Sequence, residues 1–246
     1  MKDLKYLMSY SIALMAFIGI SIGGFYNYLA VIYTFVFIPV LEVIVKRSDE
    51  KYTEQEKVNR LLDPFFDILL YLNIPIVFGI FFFSLDKLTL TNSISDIVGI
   101  ILSASIVMAT NGINVGHELG HRRSLFARTC SKLLYLPCQY MHFYIEHNFG
   151  HHINVATPED PATARYKQNL YSFWITSVVR TYISAWKIQL RLLKVSKRNF
   201  FSIKNDMIFY TLFQLLFIAL IYYYFGLYIT LLSILTFFLS LLNIIK

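Results

Sequence analysis

Runs of roughly 20 apolar residues recur along this chain, and no other feature limits its fold so tightly, because a helix needs about 20 mainly apolar residues to cross a bilayer. Six stretches qualify: 7–24, 26–45, 65–85, 97–116, 207–225 and 227–244. Composition agrees. Of the 246 residues 57% are hydrophobic and only 15% are charged, against roughly 45–50% apolar in soluble domains. A soluble domain of this length could not hide so much apolar surface. Disordered chains are poor in aromatics, whereas this one has 22 Phe and 18 Tyr. Two cysteines, Cys130 and Cys138, rule out a disulfide scaffold; they read as small packed residues. The expected fold is all-α, a six-span transmembrane helix bundle forming a single integral membrane domain over 1–246.

The net charge of +7 could signal a nucleic-acid partner, so the placement of the 22 cations decides. Lys2 and Lys5 precede the first span. Lys46, Arg47, Lys51, Lys57 and Arg60 lie between the second and third. The largest group, Arg122 to Lys204, lies between the fourth and fifth, and Lys246 closes the chain. Only Lys87 falls on the opposite side. This is the positive-inside pattern, with both termini cytoplasmic. Topology explains the charge, and no nucleic-acid partner is expected.

The external turns, near Phe25, Asp86–Ser95 and Gly226, are very short. The functional bulk is therefore expected on the cytoplasmic side, in a metal-binding and interfacial segment over 117–206. A signal peptide at the start is not expected, because no small-residue cleavage site follows and a second span comes at once. Gly19 and Gly23 form a GxxxG, expected to pack helices closely. Leu170–Lys194 has apolar residues at helical spacing (Phe173, Trp174, Val178, Tyr182, Trp186, Leu190), interrupted by Arg180, Lys187 and Arg191. It reads as an amphipathic helix at the membrane surface.

All six histidines lie between His117 and His152. Histidines clustered with acidic neighbours are metal-ligand chemistry, neutral imidazole being the commonest metal-binding side chain. His117 and His121 flank Glu-Leu-Gly, four apart and on one helix face. Gly112, Gly116 and Gly120 make a small-residue ridge beside them, and Asn111 and Asn114 suggest a hydrogen-bonded lining. In the second group His147 and His151 repeat the four-residue spacing, and His152 stands about 100° further round a regular helix. His142 lies off that face and is expected to be structural or supporting. HELGH also fits H-E-x-x-H, with Glu118 as the general base of an intramembrane zinc protease. A zinc site takes three protein ligands, however, and leaves the second group without a purpose. Five imidazoles in two groups suit a dinuclear, histidine-rich site better, with iron favoured by analogy.

The segments NGINVGHELGHRR and HFYIEHNFGHHINVATPEDPATAR resemble the first two histidine boxes of membrane-bound alkane monooxygenases, which belong with the desaturase-like di-iron membrane enzymes. The resemblance extends to six spans with the boxes between the fourth and fifth. It implies an iron pair at the cytoplasmic face of a bacterial plasma membrane, activating O2 to hydroxylate the terminal carbon of an alkane. Electrons would come from rubredoxin and a rubredoxin reductase. A related apolar substrate, such as a fatty chain, and desaturase or fatty-acid hydroxylase chemistry fit the same resemblance. The ligands carried over are His117, His121, His147, His151 and His152. Glu118, Glu146, Glu159 and Asp160 match family positions and are expected to orient ligands or shape turns; Asp160, between Pro158 and Pro161, suits a fixed turn.

The family also has a third histidine box after the sixth span, which this sequence lacks, so the iron ligand set is incomplete. The expectation is a piece of a longer protein, whose missing C-terminal segment supplies the rest. A split enzyme completed by a partner chain, or a non-enzymatic membrane subunit, are the alternatives.

Overall fold

The computed structural model describes residues 2–45, 53–61 and 63–243. Lys46, Arg47, Lys51 and Lys246 of the charge argument, and the last residue of the sixth expected span, lie outside these. Every described element is helical. In chain order they are α1 (Asp3–Ile22), α2 (Gly24–Ile44), α3 (Glu54–Leu61), α4 (Pro64–Thr89), α5 (Ile94–Gly120), α6 (Leu125–Tyr135), α7 (143–154), α8 (Leu170–Val195) and α9 (Asp206–Leu242). Local chemistry sets several starts. Asp63 accepts from the Phe65 amide ahead of Pro64, Ser93 opens α5 by accepting from the Asp96 amide, and Asn169 opens α8 by accepting from the Ser172 amide.

Among the described residues five helices, α1, α2, α4, α5 and α9, are long and apolar enough to cross a membrane. The fifth reverses on itself. Gly226 has φ 76° and ψ 175° inside α9, a left-handed φ that glycine adopts without steric cost. On a straight helix Phe217 and Phe237 would lie about 30 Å apart. Both instead stack on Phe81, with centroids at 5.7 and 5.6 Å. The two arms of α9 therefore fold back as a hairpin around α4.

The centre of the bundle is α5, with 72% of its apolar stretch buried, whereas α2, at 11%, forms the rim. Polar side chains tie α5 to its neighbours. Ser103 donates to the Asn27 carbonyl at 2.6 Å, and Asn111 donates to Asn73 at 2.8 Å and to the Ser9 carbonyl at 3.2 Å. Asn111 thus joins the expected polar lining; Asn114 is exposed and stands outside it. The glycine ridge receives α6: a β-carbon on Gly116 would stand 2.8 Å from the Tyr135 ring, and one on Gly120 3.2 Å from the Ser131 hydroxyl. Ser131 also donates to the Gly116 carbonyl at 2.6 Å.

One expectation needs correction. Gly19 packs closely, its would-be β-carbon running into the Tyr26 carbonyl oxygen, but Gly23 meets nothing there among the described residues. At φ 80° it makes the turn between α1 and α2. In α8, the buried stripe is Phe173, Ser177, Thr181, Ala185 and Ile188, while Tyr182 and Leu190 are exposed. Small polar residues face the bundle, because they permit close approach, and much of the apolar surface faces outward with the cations.

Candidate metal centre

His117 sits in the last turns of α5 and His121 just beyond them, and the glycine ridge beneath seats that end of α5 on α6. Opposite, α7 brings in the second group. Its residues His147–His151 form a π turn, in which the hydrogen bonding runs five residues apart. That geometry draws His152 in: its ring lies 4.5 Å from His147 and 4.9 Å from His121. A regular helix would have splayed it away.

Three imidazoles converge on one point. The Nε2 atoms of His117 and His147 are 2.7 Å apart, those of His117 and His121 3.0 Å, and those of His121 and His147 3.2 Å. Each Nε2 carries either one proton or one in-plane lone pair, so three of them cannot satisfy one another by hydrogen bonds. Nitrogens at bond lengths of about 2.1 Å from one ion, at right angles, would be roughly 3 Å apart. The spacing fits the edges of a coordination shell, and these three are a group that could hold a metal ion. Histidine nitrogen is a donor that suits zinc, copper, iron or nickel.

His151 stacks on His147 at 5.2 Å and 21°. Its Nδ1 lies 2.9 Å from an oxygen of Asp160, the partnership that fixes tautomer and leaves the other nitrogen for a metal. Asp160 is buried and held in turn by the Ala162 amide at 2.9 Å and the Thr163 hydroxyl at 2.6 Å. Tyr140, Phe143, His147 and His151 form a continuous stack of rings, at 4.8, 4.9 and 5.2 Å, which orients the ligating face. Burial first, then the neighbouring imidazoles, pull His147 down to about 3. His152 is lowered by the same causes. Both are neutral at pH 7, as ligation requires.

The carboxylates divide. Glu146 is fully buried beside the cluster; burial and the charge of Asp160 push it up to about 7, against the pull of the Ser184 hydroxyl 3.5 Å away. Glu159 is exposed. Glu118 is exposed too, and pairs with Arg122 at 3.3 Å. His142 stays apart from the cluster, buried edge-on to Tyr140 and Tyr182, and burial lowers it to about 3. Both cysteines are buried and free. Thr163, Ser184 and the stacking role of Phe143 were not legible in the sequence. Thr163 lies inside the ATPEDPATAR run, but only the folded loop turns its hydroxyl on Asp160.

Comparison with known proteins matches residues 96–245 to the fatty acid desaturase family model. Alkane 1-monooxygenase 1 of Alcanivorax borkumensis is 34% identical over 59% of this chain and 36% of its own length. Alkane 1-monooxygenase of Pseudomonas putida is 34% identical over 69% of this chain and 39% of its own. Alkane 1-monooxygenase 2 of Alcanivorax borkumensis is 28% identical over 89% of this chain and 60% of its own. The chain thus spans less than two thirds of the length of each of these relatives. Because the family match takes in more than half of the chain and both histidine groups, the chain belongs to the fatty acid desaturase family, among relatives that are alkane 1-monooxygenases.

Proposed function

We propose that this chain carries part of the di-iron centre of a membrane monooxygenase that hydroxylates the terminal carbon of an alkane or a similar apolar chain. The observation that supports this most is the convergence of three Nε2 atoms, from the end of α5, the residue that caps it and α7, within 3.2 Å of one another. His117, His121, His147, His151 and His152 would hold iron, which, when bound, supplies the activation of O2. The chain's own residues do the rest. Asp160 orients His151, the aromatic stack orients His147, and Ile188 closes against Gly150 behind them. Glu146, raised to about 7, holds a proton beside the cluster at neutral pH for part of the time.

The membrane reading continues into topology. The two arms of α9 count as separate crossings, making six, with both ends of the chain and the histidines on the cytoplasmic side of a bacterial plasma membrane. An alkane dissolves in that membrane, and His117 lies in the last turns of the membrane-length helix α5. Rubredoxin and its reductase are the proposed electron source, from the cytoplasm.

The test is His147→Ala in the enzyme completed by its remaining histidine segment, assayed for iron-dependent octane oxidation. Activity is expected to vanish; full activity in the variant would refute the reading.

A further inference from the structure

A cavity of about 500 Å³ opens on the far side of α7 from the histidines, between α6, α8 and the start of α9. Four cations line it, Arg128 and Lys132 from α6 and Arg198 and Lys204 from the loop before α9, against one carboxylate, Asp206. Lys132 is partly committed, 3.9 Å from Asp206 and over the rings of Tyr144 and Tyr210. Among the described residues, the other three have no acidic partner. The Nε of Arg128 is buried with no hydrogen-bond acceptor among the described residues, an unanswered donor of a kind that is rare in folded chains.

Gln189, which donates to the Lys204 carbonyl, and Ser196 are the other polar side chains of the wall, and an apolar face of Leu125, Ile145, Phe149, Leu192 and Leu193 completes it. The loop that contributes Lys204 also carries Phe201 and Ile203, 88% and 79% exposed. Asp206 begins a membrane-length helix, so the cavity mouth lies at headgroup height. Cations around an apolar wall at that depth match an amphiphile with a phosphate at one end.

We propose that this cavity binds the phosphate headgroup of an anionic membrane phospholipid, with its acyl chains against Leu125, Phe149 and Leu192. A free phosphate would use the cations but leave that apolar wall uncovered. Phe149 lies on the helix that bears His147 and His151, so the lipid braces the histidine helix from behind. The inference needs only a membrane protein and is independent of the reaction proposed above.

The test is native mass spectrometry of the detergent-solubilised chain, titrated with phosphatidylglycerol or phosphatidylcholine. Phosphatidylglycerol is expected to bind more tightly. Arg198→Gln with Lys204→Gln, both exposed side chains whose loss leaves the packing intact, should weaken it roughly fivefold per cation removed. Arg191→Gln with Lys194→Gln removes the same charge outside the cavity and should leave binding unchanged. Inorganic phosphate at the same concentration should not displace the lipid. Equal affinity for the two lipids, equal weakening by both double variants, or displacement by inorganic phosphate would each overturn the proposal.

Discussion

The three Nε2 atoms of His117, His121 and His147 lie closer together than uncharged imidazoles would choose without a shared ligand, and that arrangement carries the proposed metal site. His142 is its counterexample. It belongs to the same histidine-rich stretch, yet neither ring nitrogen has a hydrogen-bond partner among the described residues, and it is 5% exposed among aromatic rings. Burial lowers it to about 3, from an ordinary value of about 6.5. The unfolded chain therefore binds its proton first. The folded state is fully favoured above about pH 6.5 and loses stability as pH falls towards about 3, by up to about 1.4 kcal/mol per pH unit. His142→Phe removes that liability and two unanswered polar atoms, so it should stabilise the chain by about 1–3 kcal/mol at neutral pH. Thermal melts at pH 7 and pH 5 check this: the variant's loss on acidification should be smaller than the parent's. An equal loss would mean that His142 does not titrate as its burial implies.

At the scale of the element, α5 and α6 must be close for the histidines to meet. Gly116→Ala drives a methyl into the Tyr135 ring, and Tyr135 packs edge-on against Phe143, itself stacked on His147. A cost of about 1–3 kcal/mol is expected from such overpacking, with weakened metal binding. Gly79→Ala, which meets nothing within 4 Å, should be close to neutral. Melting temperature and metal affinity measured on the pair would separate the two; similar behaviour would mean that the ridge does not position the site. The ridge itself could be read from the spacing of Gly112, Gly116 and Gly120, as could the apolar runs and the pairing of His117 with His121, because these follow from periodicity along one helix. What could not be read depends on neighbours. The π turn at 147–151 draws in His152 against the expectation of a regular helix, Gly23 turns the chain where packing was expected, and α8 buries Ser177 and Thr181 in preference to Tyr182. Asp160 reads as a turn residue until the loop folds it onto His151.

For the whole molecule, the hairpin at Gly226 allows six crossings from five membrane-length helices, and it makes the orientation testable. A cysteine introduced at Leu90, 72% exposed between α4 and α5, should react in intact cells with a membrane-impermeant thiol reagent. One at Lys197, between α8 and α9, should react only after permeabilisation. The native Cys130 and Cys138 are buried and should stay silent. Labelling at Lys197 from outside would invert the proposed topology.

The central claim, that the histidines of α5 and α7 hold iron, is tested most directly by metal analysis with X-ray absorption on the purified chain. Bound iron in a nitrogen-rich shell is predicted, lost when His117, His121 and His147 are all replaced by Ala. Zinc in place of iron, or iron retained undiminished by the triple variant, would contradict the account.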